Sequence, residues 1–307
     1  MADIAGTTGG VAKENGTGRW LLVFGATGRQ GGAAARQLLD HGWGVHAFVR
    51  DLGHPRAEEL AAKGAVLVKG SLDDPDSVRA ATAGAYGVFS VFTPTHGNGL
   101  DGEERHAATV AAAVRENEVA HLVHSSVGGV ENPGGVGWRE TKLRVEQIIR
   151  AAGRPTTFLR AVYYMENFLD LPPVPDGQGG LLLSRGLLPD TVLQMIASQD
   201  IGVFVADAFD HPEDHLGRNI EIAGEALTGP EIAAVFARHT GLPTRFESEP
   251  IEEIAKRNEW MAKTFVWFNE IGYKADIPAL RAAHPELHTF ESFLRESGWA
   301  PTSPDAG

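Results

Sequence analysis

Cysteine is absent from the 307 residues, so disulfides, thiolate nucleophiles and thiolate metal sites are all excluded. Positive charge is scarce as well: 27 Lys and Arg stand against 40 Asp and Glu, a formal net charge of −13. A nucleic-acid face needs clustered basic residues, so this balance argues against one. It leaves room for a small anionic ligand held by a local pair of arginines. No apolar run approaches the ~20 residues that cross a bilayer, which argues against a membrane partner. The N-terminal MADIAGTTGGVAKENGTG carries no apolar signal core and reads as a flexible tail over 1–18. The expectation is a soluble, cytoplasmic protein. No HExxH, paired-histidine or clustered-carboxylate pattern points to a metal, and no Gly-x-Ser-x-Gly elbow points to a serine hydrolase.

What is present is an alternation of short apolar runs with amphipathic stretches. Strands are expected at 20–24, 44–49, 65–69, 86–92, 120–126 and 156–161, with helical segments between them. Strands apolar nearly throughout belong to a parallel sheet covered on both faces, which makes this a doubly wound α/β domain over 19–162. From 163 to 307 the rhythm changes. A turn-rich LPPVPDGQGG, followed by a helical run, leads into a smaller, mostly helical substrate or partner region that returns elements to the sheet. Its expected elements are a strand at 219–224 and helices near 228–240, 250–270, 276–283 and 289–297.

VFGATGRQGG (23–32) lies between the first strand and the first helix. Gly25, Gly28 and Gly31 have the spacing that gives a tight turn, close approach of backbone to a pyrophosphate, and close packing of helix on strand. Thr27, Arg29 and Gln30 lie in the same loop. This is a dinucleotide site. The second strand ends in FVRD, which puts Arg50 where an NAD enzyme places an acid. Arg50 and Arg29 therefore favour a 2′-phosphate, hence NADP(H), although Asp51 beside them complicates the reading. Ser71 or Asp73, in GSLDD after the third strand, is placed to bond an adenine, and the acids equally suit a helix start. Thr93, after the fourth strand, should run beside a ribose. His96 in the same loop is read as solvated, and His121 and His124 as neutral imidazoles in a buried strand.

GATGRQGG, VRD, GSLDD, GVFSVFTP, HLVHSSVGG, LRAVYYMENFL, IEIAGEALTGPEIAAVF and GYKADIPALRAAHPELHTFESFLRESGW together resemble the NmrA-like family, a branch of the atypical short-chain dehydrogenases/reductases. The resemblance runs from about Arg19 to Trp299. It implies a Rossmann-type domain, NADP(H) as ligand, and one of two roles: a reductase of quinones or conjugated substrates, or a redox sensor that binds the dinucleotide without turnover.

Typical short-chain dehydrogenases use a serine after the fifth strand, then a tyrosine and a lysine one helical turn apart. Here Ser125 and Ser126 end the fifth strand and Lys142 stands at the lysine position, but Trp138 takes the tyrosine's place. An indole N–H donates a hydrogen bond but is no proton acid near neutrality. Lys142 is then expected to bond the nicotinamide ribose or to serve as acid or base itself; the plainer alternative is a lysine at the helix edge with its head in water. Trp138, Val145 and Ile149 should form the buried stripe of this helix. Ser125 or Ser126 would steady a developing oxyanion. After the sixth strand, Tyr163 or Tyr164 offers a hydroxyl, Asn167 a carboxamide contact and Phe168 an apolar wall. Trp260, Met261, Phe265, Trp267 and Phe268 read as core packing, with one of the tryptophans facing the pocket. The expected partner is a small hydrophobic, conjugated substrate, or a protein if the chain is a sensor. The oligomeric state is not legible.

Overall fold

The computed structural model describes residues 18–93 and 99–301. All of the expected tail except Gly18 lies outside the described residues, and so does His96. The first half alternates strand and helix: β1 (Trp20–Val23), α1 (Arg29–Asp40), β2 (Gly44–Val49), α2 (Pro55–Ala62), β3 (Val66–Lys69) and α3 (Pro75–Thr82). It continues through β4 (Gly87–Val91), α4 (Gly99–Glu116), β5 (His121–Val127), α5 (Gly137–Ala151) and β6 (Thr156–Ala161). Helices α2 and α3 each start on a proline, whose missing N–H costs nothing in a first turn. Asp74 caps α3 by accepting from the backbone N–H groups of Asp76 and Ser77.

After β6 come β7 (Tyr163–Tyr164), α6 (Asn167–Asp170), β8 (Val174–Pro175), β9 (Leu181–Arg185), β10 (Val192–Ile196), α7 (Asp200–Asp210) and α8 (Pro212–His215). Next are β11 (Asn219–Ile222), β12 (Glu225–Thr228), α9 (Gly229–Thr240) and β13 (Thr244–Ser248). Helices α10 (Ile251–Arg257), α11 (Glu259–Glu270), α12 (Ile277–Ala283) and α13 (Phe290–Ser297) close the chain.

The central sheet has seven strands in the order β11-β6-β5-β4-β1-β2-β3. Its pairings β3–β2–β1–β4–β5 are parallel, so their carboxyl ends share one edge. The order reverses between β1 and β4, the switch point at which open α/β sheets bind ligands. The fold is the expected doubly wound, Rossmann-like one. Beneath one face, Leu22, Phe24, Val88 and Phe158 of the sheet region pack with Val78, Val110, Val114, Val145 and Ile149 from α3, α4 and α5. On α1, Ala33 meets Gly202 of α7 so closely that a Cβ at Gly202 would stand 2.6 Å from the Ala33 oxygen.

The chain divides into two compact units. The first holds residues up to Val130, Trp138–Arg160 and Ile201–Ile220; the second holds Glu131–Gly137, Ala161–Asp200 and Glu221 onward. Besides helices, the second unit carries two three-stranded sheets, β12-β10-β7 and β13-β9-β8. The helical run expected after LPPVPDGQGG is instead β9 and β10, whose backbone groups are taken up by neighbouring strands. The helix expected over 250–270 is two helices. Asn258 breaks it with an extended backbone and caps α11 by accepting from the Met261 N–H at 3.0 Å.

Candidate cofactor site

Parallel strands place the first-unit candidates along one edge: the glycine loop after β1, Arg50 after β2, Ser71 after β3, Thr93 after β4, and Ser125 and Ser126 near the end of β5. Each glycine of the loop has a visible reason. Gly25 has φ +67, a region costly to other residues. A Cβ at Gly31 would lie 2.2 Å from the Gly25 oxygen and 2.9 Å from the Phe24 oxygen. Gly28 is the extended N-cap of α1; no side chain caps that helix, and no acid sits in its first turn. A cradle of bare backbone at an uncapped helix start fits a pyrophosphate.

Arg29 and Arg50 are both exposed beside this loop in the chain order expected. Beside Arg50, the Asp51 carboxylate accepts from the Gly53 N–H at 3.0 Å in a local turn. A third arginine was not singled out from sequence. Arg56, in the first turn of α2, donates from Nη1 to the Thr27 carbonyl at 3.1 Å and so lies over the glycine loop. Its signal was a cation at a helix start, where the dipole favours an acid. After β3, the Ser71 hydroxyl accepts from the Asp73 N–H at 3.2 Å, and Asp73 pairs with His106 at 2.9 Å, so both have local structural work.

On β5, the Ser125 hydroxyl donates to Gln30 Oε1 at 2.5 Å, tying the strand to the start of α1. Ser126 is 4% exposed and its hydroxyl has no partner. Of the two serines, Ser126 thus has its donor unspent, an orphaned buried group that a ligand would satisfy.

Helix α5 differs from expectation. Its buried stripe runs through Thr141, Val145 and Ile149, spaced i, i+4, i+8, whereas Trp138 is half-buried in the first turn with the Arg139 guanidinium 5.0 Å from its ring. Lys142 is not a solvated edge residue: its side chain is 14% exposed. Its Nζ donates to Glu103 Oε1 at 2.7 Å and to the Phe92 carbonyl at 2.7 Å. Glu103 was overlooked in sequence, although it shares the buried face of α4 with Ala107, Val110 and Val114 at i, i+4, i+7, i+11. A carboxylate on an apolar stripe was the available signal.

His124 accepts the expected neutral role. Burial, reinforced by the charge of Lys142, pushes its pKa down to about 3, and Ser90 on β4 bonds its Nδ1 at 2.8 Å. His121 is likewise lowered to about 4, mainly by burial.

Tyr163 and Asn167 belong to the second unit. Burial raises the Tyr163 pKa, partly offset by Arg185 and by hydrogen bonds from Asn167 and Arg185. The phenol stays protonated, and Asn167 is engaged with it. Arg185, on β9, is a further residue that sequence reading passed over. The Tyr163 ring packs edge-on against Phe168 and Phe268. Phe265, Trp267 and Phe268 are buried, as packing requires, while Trp260 stays 48% exposed.

The sequence profile of the NmrA-like family matches residues 18–294. The chain is 34% identical over 246 residues to a (4-alkanoyl-5-oxo-2,5-dihydrofuran-3-yl)methyl phosphate reductase of Streptomyces griseus, covering 79% of this chain and 81% of that one. Among solved structures it superposes on an NADPH-dependent quinone oxidoreductase from Escherichia coli complexed with NADPH (TM-score 0.78, 19% identity, 91% of this chain and 100% of that one). It also superposes on NmrA, a negative transcriptional regulator, in complex with NADP (TM-score 0.75, 22% identity, 91% and 95%). Among the described residues, no helix is long and apolar enough to cross a membrane.

Proposed function

The chain belongs to the NmrA-like family, and on that footing we propose that it is an NADP(H)-dependent reductase of a hydrophobic, conjugated acceptor such as a quinone or enone. The observation that carries this reading is an intact glycine cradle together with a largely enclosed lysine whose helix offers an indole, at Trp138, in place of a phenol. Such a site suits an acceptor whose reduced form is a stabilised anion and needs no protein acid. The Streptomyces relative's name describes a ring of this kind, with its double bond conjugated to carbonyls.

When bound, NADPH supplies the hydride. The loop from Gly25 to Gly31 holds the pyrophosphate, and Arg29, Arg50 and Arg56 neutralise the 2′-phosphate with forked donors. Lys142 presents a fixed cation toward the nicotinamide ribose. The Ser126 hydroxyl donates to the developing oxyanion, and water supplies the proton. A dinucleotide sensor without turnover is the second reading, favoured by Trp138.

Both readings are separated by mixing purified protein with NADPH and following the nicotinamide absorbance with a panel of quinones and enones. Acceptor-dependent oxidation is expected; tight binding with no oxidation across the panel selects the sensor. In Arg56→Glu, NADPH affinity should fall about tenfold, ~1.4 kcal/mol, with NADH affinity nearly unchanged. Equal losses for both would remove Arg56 from the 2′-phosphate.

A further inference from the structure

The Lys142–Glu103 contact raises a question of energetics. Glu103 is 1% exposed, and its second carboxylate oxygen, Oε2, has no partner. A buried ion pair that leaves lone pairs unmet is weak evidence for stability, since desolvation rivals the attraction. Such a pair is better understood by what it orients. An ammonium has three donors. Two of them are spent, on Glu103 Oε1 and on the Phe92 carbonyl just beyond β4, each at 2.7 Å. A single N–H remains, its direction set by the other two.

We propose that Glu103 is a positioning residue, which fixes the Lys142 ammonium so that α5 presents one aimed donor. The proposal rests on the reading that Lys142 faces the nicotinamide ribose. It also adds to the serines and the lysine a carboxylate from α4 that accepts directly from the lysine. A parallel pair, Arg144 to Glu104 at 2.6 Å, joins the same two helices nearer solvent. The other titratable groups around Lys142 are accounted for: His124 on β5 is neutral down to about pH 3, and His106 on α4 bonds Asp73.

The test reads NADPH affinity, not turnover, in the full-length protein. Glu103→Leu, which leaves Lys142 Nζ without its side-chain acceptor, should bind at least tenfold more weakly than wild type, and Glu103→Gln, which keeps an oxygen at that place, should recover most of the loss. Lys142→Met should be as weak as Glu103→Leu or weaker, and the double Glu103→Leu/Lys142→Met variant should match Lys142→Met. Wild-type affinity in Glu103→Leu, no recovery in Glu103→Gln, or a double variant weaker than Lys142→Met overturns the proposal. If Glu103→Leu does not fold, melting temperatures decide. The double variant, free of both charges, should melt above Lys142→Met, which strands a buried carboxylate; a double variant melting below it overturns the pair. Wild-type protein that binds no NADPH overturns the cofactor reading and this proposal together, whereas a wild type that binds but reduces nothing overturns the reductase reading alone.

Discussion

A single methyl group is the sharpest probe of the glycine loop. At Gly31 it would stand 2.2 Å from a backbone carbonyl of the same loop, with no flexible side chain to yield. At Gly32 it would meet the Ala26 oxygen at 3.1 Å and the end of Arg36 at 3.2 Å, a milder conflict. Gly31→Ala should therefore cost about 1–3 kcal/mol of stability and at least tenfold in NADPH affinity, and Gly32→Ala clearly less. Calorimetric titration and a thermal melt check both; equal behaviour of the two variants would refute the packing argument. Individual residues were legible in proportion to how local their reasons are. The loop glycines and Arg50 follow from a turn and from the end of a strand. Arg56, Glu103 and the Ser125–Gln30 bond answer to partners 29, 39 and 95 positions away. Arg56 and Glu103 stand out in sequence by residue type, but the partners of all three become visible only once strand order is known.

Strand β5 carries a cost that its sequence only hints at. His121 and His124 are enclosed, each bonded through one ring nitrogen, to Thr157 and Ser90, with the other nitrogen unpartnered. Their folded pKa values, about 4 and about 3, lie below the ordinary 6.5. Above pH 6.5 neither state of the chain binds these protons. As pH falls below 6.5 the unfolded chain takes them up and the native one does not, so stability declines toward pH 4 by up to about 1.4 kcal/mol per pH unit per histidine. His124→Asn, which can keep the bond to Ser90, should flatten the fall in melting temperature between pH 7 and pH 5. An unchanged slope would show that His124 is not the titrating group. Elements of the first unit were legible because their strands are short, mostly apolar runs separated by amphipathic helical stretches. The second unit hid β9 and β10, short runs without clean alternation, and hid the break at Asn258, where a polar cap interrupts an otherwise continuous helical pattern.

At the scale of the molecule, a boundary at 162 looks natural in sequence, yet Ile201–Ile220 clusters with the first unit. This stretch supplies α7, whose Gly202 abuts Ala33, and the start of β11, whose neighbour in the sheet is β6. A fragment ending at residue 162 would bare that face of α1 and leave β6 as an open edge. It should lack a cooperative melt and fail to bind NADPH; a sharp two-state transition from the fragment would contradict this. The backbone passes from one unit to the other at 130, 137, 160, 200 and 220. Recombination between relatives at one breakpoint would accordingly divide at least one unit between the two parents. A chimera meant to inherit the whole second unit of another member needs three segments transplanted at once, Glu131–Gly137, Ala161–Asp200 and everything from Glu221 onward, while Ile201–Ile220 stays with its host.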